Sequence, residues 1–126
     1  MIGVFVGVEA SGLQPRKVGV FSVSGGSLSV TSGRLSYSLG LVGPCYSIDT
    51  ACASSLAALH LCSSAICGEE CREGIEAGTK ILSEIVNTIN SAAGMLSPLG
   101  RCHVFDCRAD GYCRGEGCGA FLVASR

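Results

Sequence analysis

DTACASSL, residues 49–56, is the stretch whose reading decides the architecture. It sets Cys52 between a short β-prone run, Tyr46-Ser47-Ile48, and a long run of small, helix-compatible residues. Residues 52–66 contain no glycine, no proline and no charge, and Gly68 follows as a stop signal. The pattern predicts strand, sharp turn and helix, with Cys52 in the first helical turn. A cysteine is a useful nucleophile only as thiolate, and its ordinary pKa of about 8.5 leaves little thiolate at neutral pH. The unpaired N–H groups and dipole of a helix N-terminus favour the anion. A strand-to-helix turn also lifts the side chain above the sheet, the logic of a nucleophile elbow. Cys52 is therefore the candidate nucleophile, and its backbone N–H is the candidate for half of an oxyanion hole. Ala51 and Ala53 leave room for an incoming group. The competing reading is a packed, inert thiol, since buried cysteine is common.

On the N-terminal side, Ile2–Val8 is a continuous apolar run that suits a buried strand. Residues 9–20 read as irregular, and 22–29 as a glycine- and serine-rich loop. Leu28, Leu35 and Leu39 fall on one helical face, with Gly40 as a C-terminal stop. Gly43-Pro44 is a turn, and 46–50 a second buried strand. The 52–66 helix is expected to be buried on nearly all sides, with Leu56, Leu59 and Ile66 on one face.

Beyond it, Arg72–Gly78 occupies the place of a strand but carries Glu73 and Glu76. Buried carboxylates are costly unless paired, so Arg72 and Lys80 are expected to offset them, or the strand to be distorted or exposed. Ser83 is placed to N-cap a helix carrying Ile85, Val86 and Ile89, with Glu84 at its positive end. Residues 94–119 read as loop, in which glycines allow Arg114 and Glu116 to pair. Ala120–Ala124 reads as a closing strand. Strands alternating with helices make the class α/β.

The 126 residues amount to one domain at most. Hydrophobic residues are 48% and charged ones 15%. That balance suits part of a larger fold or of a dimer better than a free-standing small domain, which shows more surface. A net charge of −1 with interspersed signs offers no attraction to nucleic acid or an anionic membrane. No apolar run reaches the ~18 residues of a membrane span. The start, Met1–Val6, lacks the basic region of a signal peptide. The nine cysteines include no CxxC pair. Metal spacing is poor, so they are read as mostly small buried thiols in a reducing compartment. The expected setting is cytoplasmic, or an organelle. GEGCG (115–119) lacks the GK[ST] ending of a phosphate loop.

Two long blocks carry a resemblance. GRLSYSLGLVGPCYSIDTACASSLAALHLC (33–62) closely resembles the active-site region of β-ketoacyl synthase domains of type I polyketide synthases and fatty acid synthases. AGMLSPLGRCHVFDCRADGYCRGEGCGAFLV (93–123) resembles the glycine-rich segment that follows in the same family. The resemblance spans nearly the whole chain. It implies a thiolase-like αβαβα sandwich, normally dimeric, of which residues 1–126 are an N-terminal-half portion cut at both ends. It implies an acyl thioester on Cys52, then decarboxylative Claisen condensation with a malonyl unit. The malonyl unit would be carried on the phosphopantetheine arm of an acyl carrier protein, the implied partner. No bound cofactor or metal is expected.

In the family, two histidines from the C-terminal half assist decarboxylation. Neither His60 nor His103 matches them. His60 lies eight residues after Cys52, about 12 Å along a helix, and reads as a buried or interfacial structural residue; His103 reads as surface or core. The 126 residues alone are expected not to condense. The family usually has serine where this chain has Ala53, and residues 9–21 are shorter than usual. Other readings are a coenzyme A-dependent enzyme of the thiolase superfamily and a non-catalytic ketosynthase-like partner subunit. The second block favours the carrier-dependent enzymes over the first, and retention of Cys52 argues against the second. A cysteine hydrolase lacks an acid–histidine pair.

Overall fold

The computed structural model describes residues 1–9, 19–20 and 22–125. The segment expected to be short, 9–21, lies almost wholly outside the described residues. Two compact units are formed, one by Met1–Lys80 with Cys118–Arg126 and one by Ile81–Gly117.

The first unit is built on a four-stranded sheet of order β2-β1-β3-β4. Its strands are β1 (Ile2–Val8), β2 (Cys45–Ile48), β3 (Glu73–Lys80) and β4 (Gly117–Ala124). β1 is the inner strand and runs parallel to both β2 and β3. It is buried from Gly3 to Val8, as a strand covered on both faces must be. Among its described residues this unit has three α-helices: α1 (Ser22–Gly26), α2 (Leu28–Leu39) and α3 (Ser54–Cys67). α1 replaces the loop expected over 22–29.

Side chains alternate across the sheet, and register sorts them. Phe5 pairs with Tyr46 on one side and Glu76 on the other. This face is the one α3 covers: Phe5 clusters with Ala58, Cys62, Ala65 and Cys71, and its ring stacks on Tyr46 at 5.7 Å. The opposite face carries Val4, Val6, Cys45 and Ser47, and α2 packs there. Parallel strands with helices on both faces satisfy the expected α/β class.

The helices do not turn their leucines inward. On α2 the buried residue is Ser32; Leu35 is 39% and Leu39 59% exposed. Ser47 Oγ accepts the Ser32 N–H at 3.0 Å and shares a 2.8 Å hydrogen bond with its hydroxyl. Each such net bond contributes about 1 kcal/mol. On α3 the buried stripe is Ser54, Ala58, Cys62 and Ala65, while Leu56 is 71% exposed. The expectation of a helix buried nearly all round is thus corrected. Small residues face the sheet because the sheet has glycines beneath them, and the leucines form an outer face. Strand β2 also departs from expectation, being exposed or half-buried along its length. Among the described residues it has a strand neighbour on one side only.

Cysteine burial is corrected as well. Only Cys62 and Cys71 are buried; the other seven are exposed, and all nine are free thiols. The sheet–α3 core reaches those two alone.

Glu76 is the exception to core chemistry. It is 2% exposed, and its Oε1 has no hydrogen-bond partner. Arg72 and Lys80 do not offset it: Arg72 is exposed, and Lys80 pairs with Glu9. The strand nevertheless forms in full register with β1, because seven residue pairs of parallel ladder outweigh one buried carboxyl. Burial pushes the Glu76 carboxyl above the usual carboxylate range. Burial, then the nearby Cys71 and Glu76, also push the Cys62 thiol up.

A carboxyl whose pKa is raised by folding stabilises the fold only while protonated. That contribution is present below its unfolded value, near ~4.3, and is lost as pH rises through the folded pKa. Glu76→Gln is therefore expected to raise stability at pH 8 by about 1–3 kcal/mol, with little gain at pH 4. Urea midpoints at the two pH values check this; an equal shift at both would contradict it.

Candidate active site

β2 ends at Ile48, and the chain turns through Asp49 and Thr50 into a single 3₁₀ turn, Ala51–Ala53, that runs directly into α3. Cys52 sits in that turn and is exposed. It therefore precedes the first α-helical residue by two positions rather than lying inside the helix. The turn stands at the carboxyl ends of parallel strands, where open α/β sheets carry their binding sites.

Glycines set the position. A Cβ on Gly7 would lie 2.5 Å from the backbone carbonyl of Ser54, and one on Gly78 would overlap the Ser55 side chain. Gly7 and Gly78 are register partners at adjacent strand ends. Without side chains there, the start of α3 rests on the sheet backbone itself, and Cys52 is carried with it.

The turn is fastened by short polar bonds. Asp49 Oδ1 accepts the Ala51 N–H at 3.0 Å, an Asx turn. The hydroxyl of Ser54 donates to the Ala51 carbonyl at 2.7 Å and accepts the Thr50 N–H at 2.9 Å. The N–H groups of Ala53 and Ser54 go to the carbonyls of Thr50 and Ala51. The Cys52 N–H is not among those used. Ala51 is left-handed, with φ +54°, a conformation costing a residue with a Cβ about 1–2 kcal/mol. Sequence reasoning missed Asp49 and Ser54 as parts of the site. The signal for Asp49 was present, since Asp readily bonds the backbone two residues on; nothing local marks Ser54.

His60 projects from the same helix and is exposed; of the two readings, buried or interfacial, the first is overturned. His103 belongs to the second unit and is half-buried. That unit holds α4 (Glu84–Ala92) and a loop pinned by an isolated bridge between Leu96 and Tyr112. Ser83 is the N-cap residue of α4 by position, without a side-chain capping bond. Glu116 accepts the Leu82 N–H at 3.1 Å, so its carboxylate ties down the approach to α4. Arg108 holds the Asp106 carboxyl down to about 2. No cluster of three metal-ligating side chains occurs among the described residues.

Residues 1–126 match the family model of the β-ketoacyl synthase N-terminal domain. The chain belongs to the β-ketoacyl synthase family. It is 40% identical over 127 residues to a non-reducing polyketide synthase of Penicillium brevicompactum, covering 97% of this chain and 6% of the relative. It is 42% identical over 126 residues to a phenolphthiocerol/phthiocerol polyketide synthase of Mycobacterium tuberculosis, covering 98% of this chain and 8% of that protein. Among solved structures, the ketosynthase from module 6 of the bacillaene synthase of Bacillus subtilis superposes with a TM-score of 0.81 at 34% identity. That alignment covers 98% of this chain and 22% of the other. The oxazolomycin ketosynthase domain of Streptomyces albus gives 0.83 at 33% identity, covering 96% of this chain and 22% of the other. The fold is accordingly thiolase-like, as expected. The chain spans less than a tenth of the curated relatives and about a fifth of the solved ketosynthases.

The glycine floor makes a direct prediction. Gly7→Ala is expected to lower stability by roughly 1–3 kcal/mol and to change the rate at which Cys52 is alkylated. Thermal unfolding and peptide mass spectrometry measure the two; an alanine variant with wild-type stability and labelling would show that the close approach is dispensable.

Proposed function

We propose that this chain carries the acyl-accepting nucleophile of a 3-oxoacyl-[acyl-carrier-protein] synthase, the ketosynthase step of a polyketide synthase. Cys52 is that nucleophile. The observation that carries the reading is its position: exposed, in the turn between the end of a parallel strand and the start of α3, within a family match covering the whole chain.

In the proposed reaction the Cys52 sulfur attacks the carbonyl of an acyl thioester on the phosphopantetheine arm of an acyl carrier protein. A new carbon–sulfur bond forms, the carrier's thiol leaves with a proton, and the acyl group rests on Cys52. A malonyl unit on a carrier then loses carbon dioxide, and its carbanion attacks the acyl carbon. A carbon–carbon bond forms and the Cys52 sulfur departs. The backbone N–H of Cys52 supplies one donor to the oxyanion in both steps. The polyketide synthases among the relatives support a polyketide product. A homodimer of the complete domain is part of the proposal, supported by the edge of β2, unpaired among the described residues, with Tyr46 49% exposed upon it. The 126 residues by themselves are proposed to be inactive in condensation, since neither of their histidines matches the family's catalytic pair.

Incubation of the full-length protein with an acyl-loaded carrier protein is expected to add one acyl group, located at Cys52 by peptide mass spectrometry. Cys52→Ala is expected to remove the adduct and to lower 3-oxoacyl formation by at least about 10³-fold, the order lost when a catalytic nucleophile is deleted. An adduct that persists in this variant, or that resides on another cysteine, overturns the assignment. A 3-oxoacyl product from the 126 residues alone would refute the proposed inactivity.

A further inference from the structure

The peptide plane between Ala51 and Cys52 is held from one end. Its carbonyl, that of Ala51, receives two donors from a single residue: the Ser54 hydroxyl at 2.7 Å and the Ser54 N–H. The other end of that plane is the Cys52 N–H. In a trans peptide the C=O and N–H point in opposite directions and rotate together. A grip on the Ala51 oxygen therefore fixes the direction of the Cys52 N–H.

Three further observations make the grip firm. Ser54 is 4% exposed, so water competes little for its hydroxyl. Its oxygen also accepts the Thr50 N–H at 2.9 Å, which orients the hydroxyl proton toward Ala51. Its backbone rests against Gly7, so Ser54 is itself fixed to the sheet. Asp49 holds the N–H of Ala51, and the left-handed φ of Ala51 shows that the plane is kept in an orientation alanine does not favour by itself.

We infer that Ser54 is a positioning residue that aims the Cys52 backbone N–H at the oxyanion formed during acyl transfer. The inference rests on the reading of Cys52 as nucleophile and adds what orients its donor. The role inferred for Ser54 runs through one rotating peptide plane, by its bonds to the Ala51 carbonyl. Since an oxyanion donor is stronger in the transition state than in the bound substrate, its misdirection should appear in kcat and leave KM nearly unchanged.

The test compares two reactions of the same sulfur in the full-length protein. Acylation by an N-acetylcysteamine thioester forms an oxyanion. Alkylation by iodoacetamide is a displacement at saturated carbon and forms none. Ser54→Ala is expected to lower kcat for acylation by roughly 10²-fold, the order of one lost oxyanion donor, with Cys52 alkylation changed by less than about threefold. Should this variant fold poorly, the pair Ser54→Ala with Ala51→Gly removes the left-handed strain without restoring the grip, and the same split is expected. Parallel loss of both reactions in a folded variant, or no loss of acylation, overturns the inference. Cys52→Ala run alongside separates the two claims: acylation that survives it refutes the nucleophile itself, whatever Ser54 does.

Discussion

The start of α3 lies against the sheet with no side chain of the sheet between them, and the geometry of the site follows from that contact. Gly7 and Gly78, paired across β1 and β3, leave bare backbone where α3 begins. A helix that approaches so closely presents small residues, which is why its inward stripe is Ser54, Ala58, Cys62 and Ala65. The same contact dictates where the preceding turn lies. Cys52 stands at the strand ends because the helix behind it has no freedom to move along or away from the sheet.

Close packing changes the chemistry of cohesion. Where backbones approach, hydroxyls replace leucines as the adhesive. Ser32 and Ser47 join α2 to β2, with Cys45 Sγ 3.2 Å from the Ser32 hydroxyl. Ser54 ties α3 to the loop before it. Such bonds are directional, so they specify one orientation as well as adding stability. Leu35 and Leu39 of α2 and Leu56, Leu59 and Leu61 of α3 are displaced to the outer faces, where this chain leaves them exposed. An apolar helix with a small inward stripe and a large outward one is suited to a middle layer, in keeping with the thiolase-like fold.

Local strain at Ala51 and burial at Glu76 have different consequences. At Ala51 the left-handed backbone is compensated by hydrogen bonds to both of its peptide groups, so the strain orients a donor beside Cys52. At Glu76 nothing compensates Oε1, and the cost appears as a raised carboxyl pKa in the core. The ladder around Glu76 is intact because parallel pairing to β1 is a backbone property, largely indifferent to one unfavourable side chain.

Periodicity and composition were sufficient for the order of elements apart from α1, for the helix stops at Gly40 and Gly68, and for the turn that presents Cys52. These are local properties: glycine ends a helix, and an apolar run between turn residues makes a strand, wherever the chain then travels. Family likeness in the two long blocks added the thiolase-like fold. The faces turned inward were not legible, since a leucine stripe on α2 or α3 reads the same whether it meets this sheet or another layer. Nor were the burial of Glu76, the exposure of β2 and of seven cysteines, or the part played by Ser54. Each of those depends on what lies across space: on glycines in β1 and β3 that admit a backbone, and on a peptide plane whose partner is decided only when α3 settles on the sheet. Identity along the chain dictates which groups exist and which turn they enter; packing between distant segments decides where those groups point.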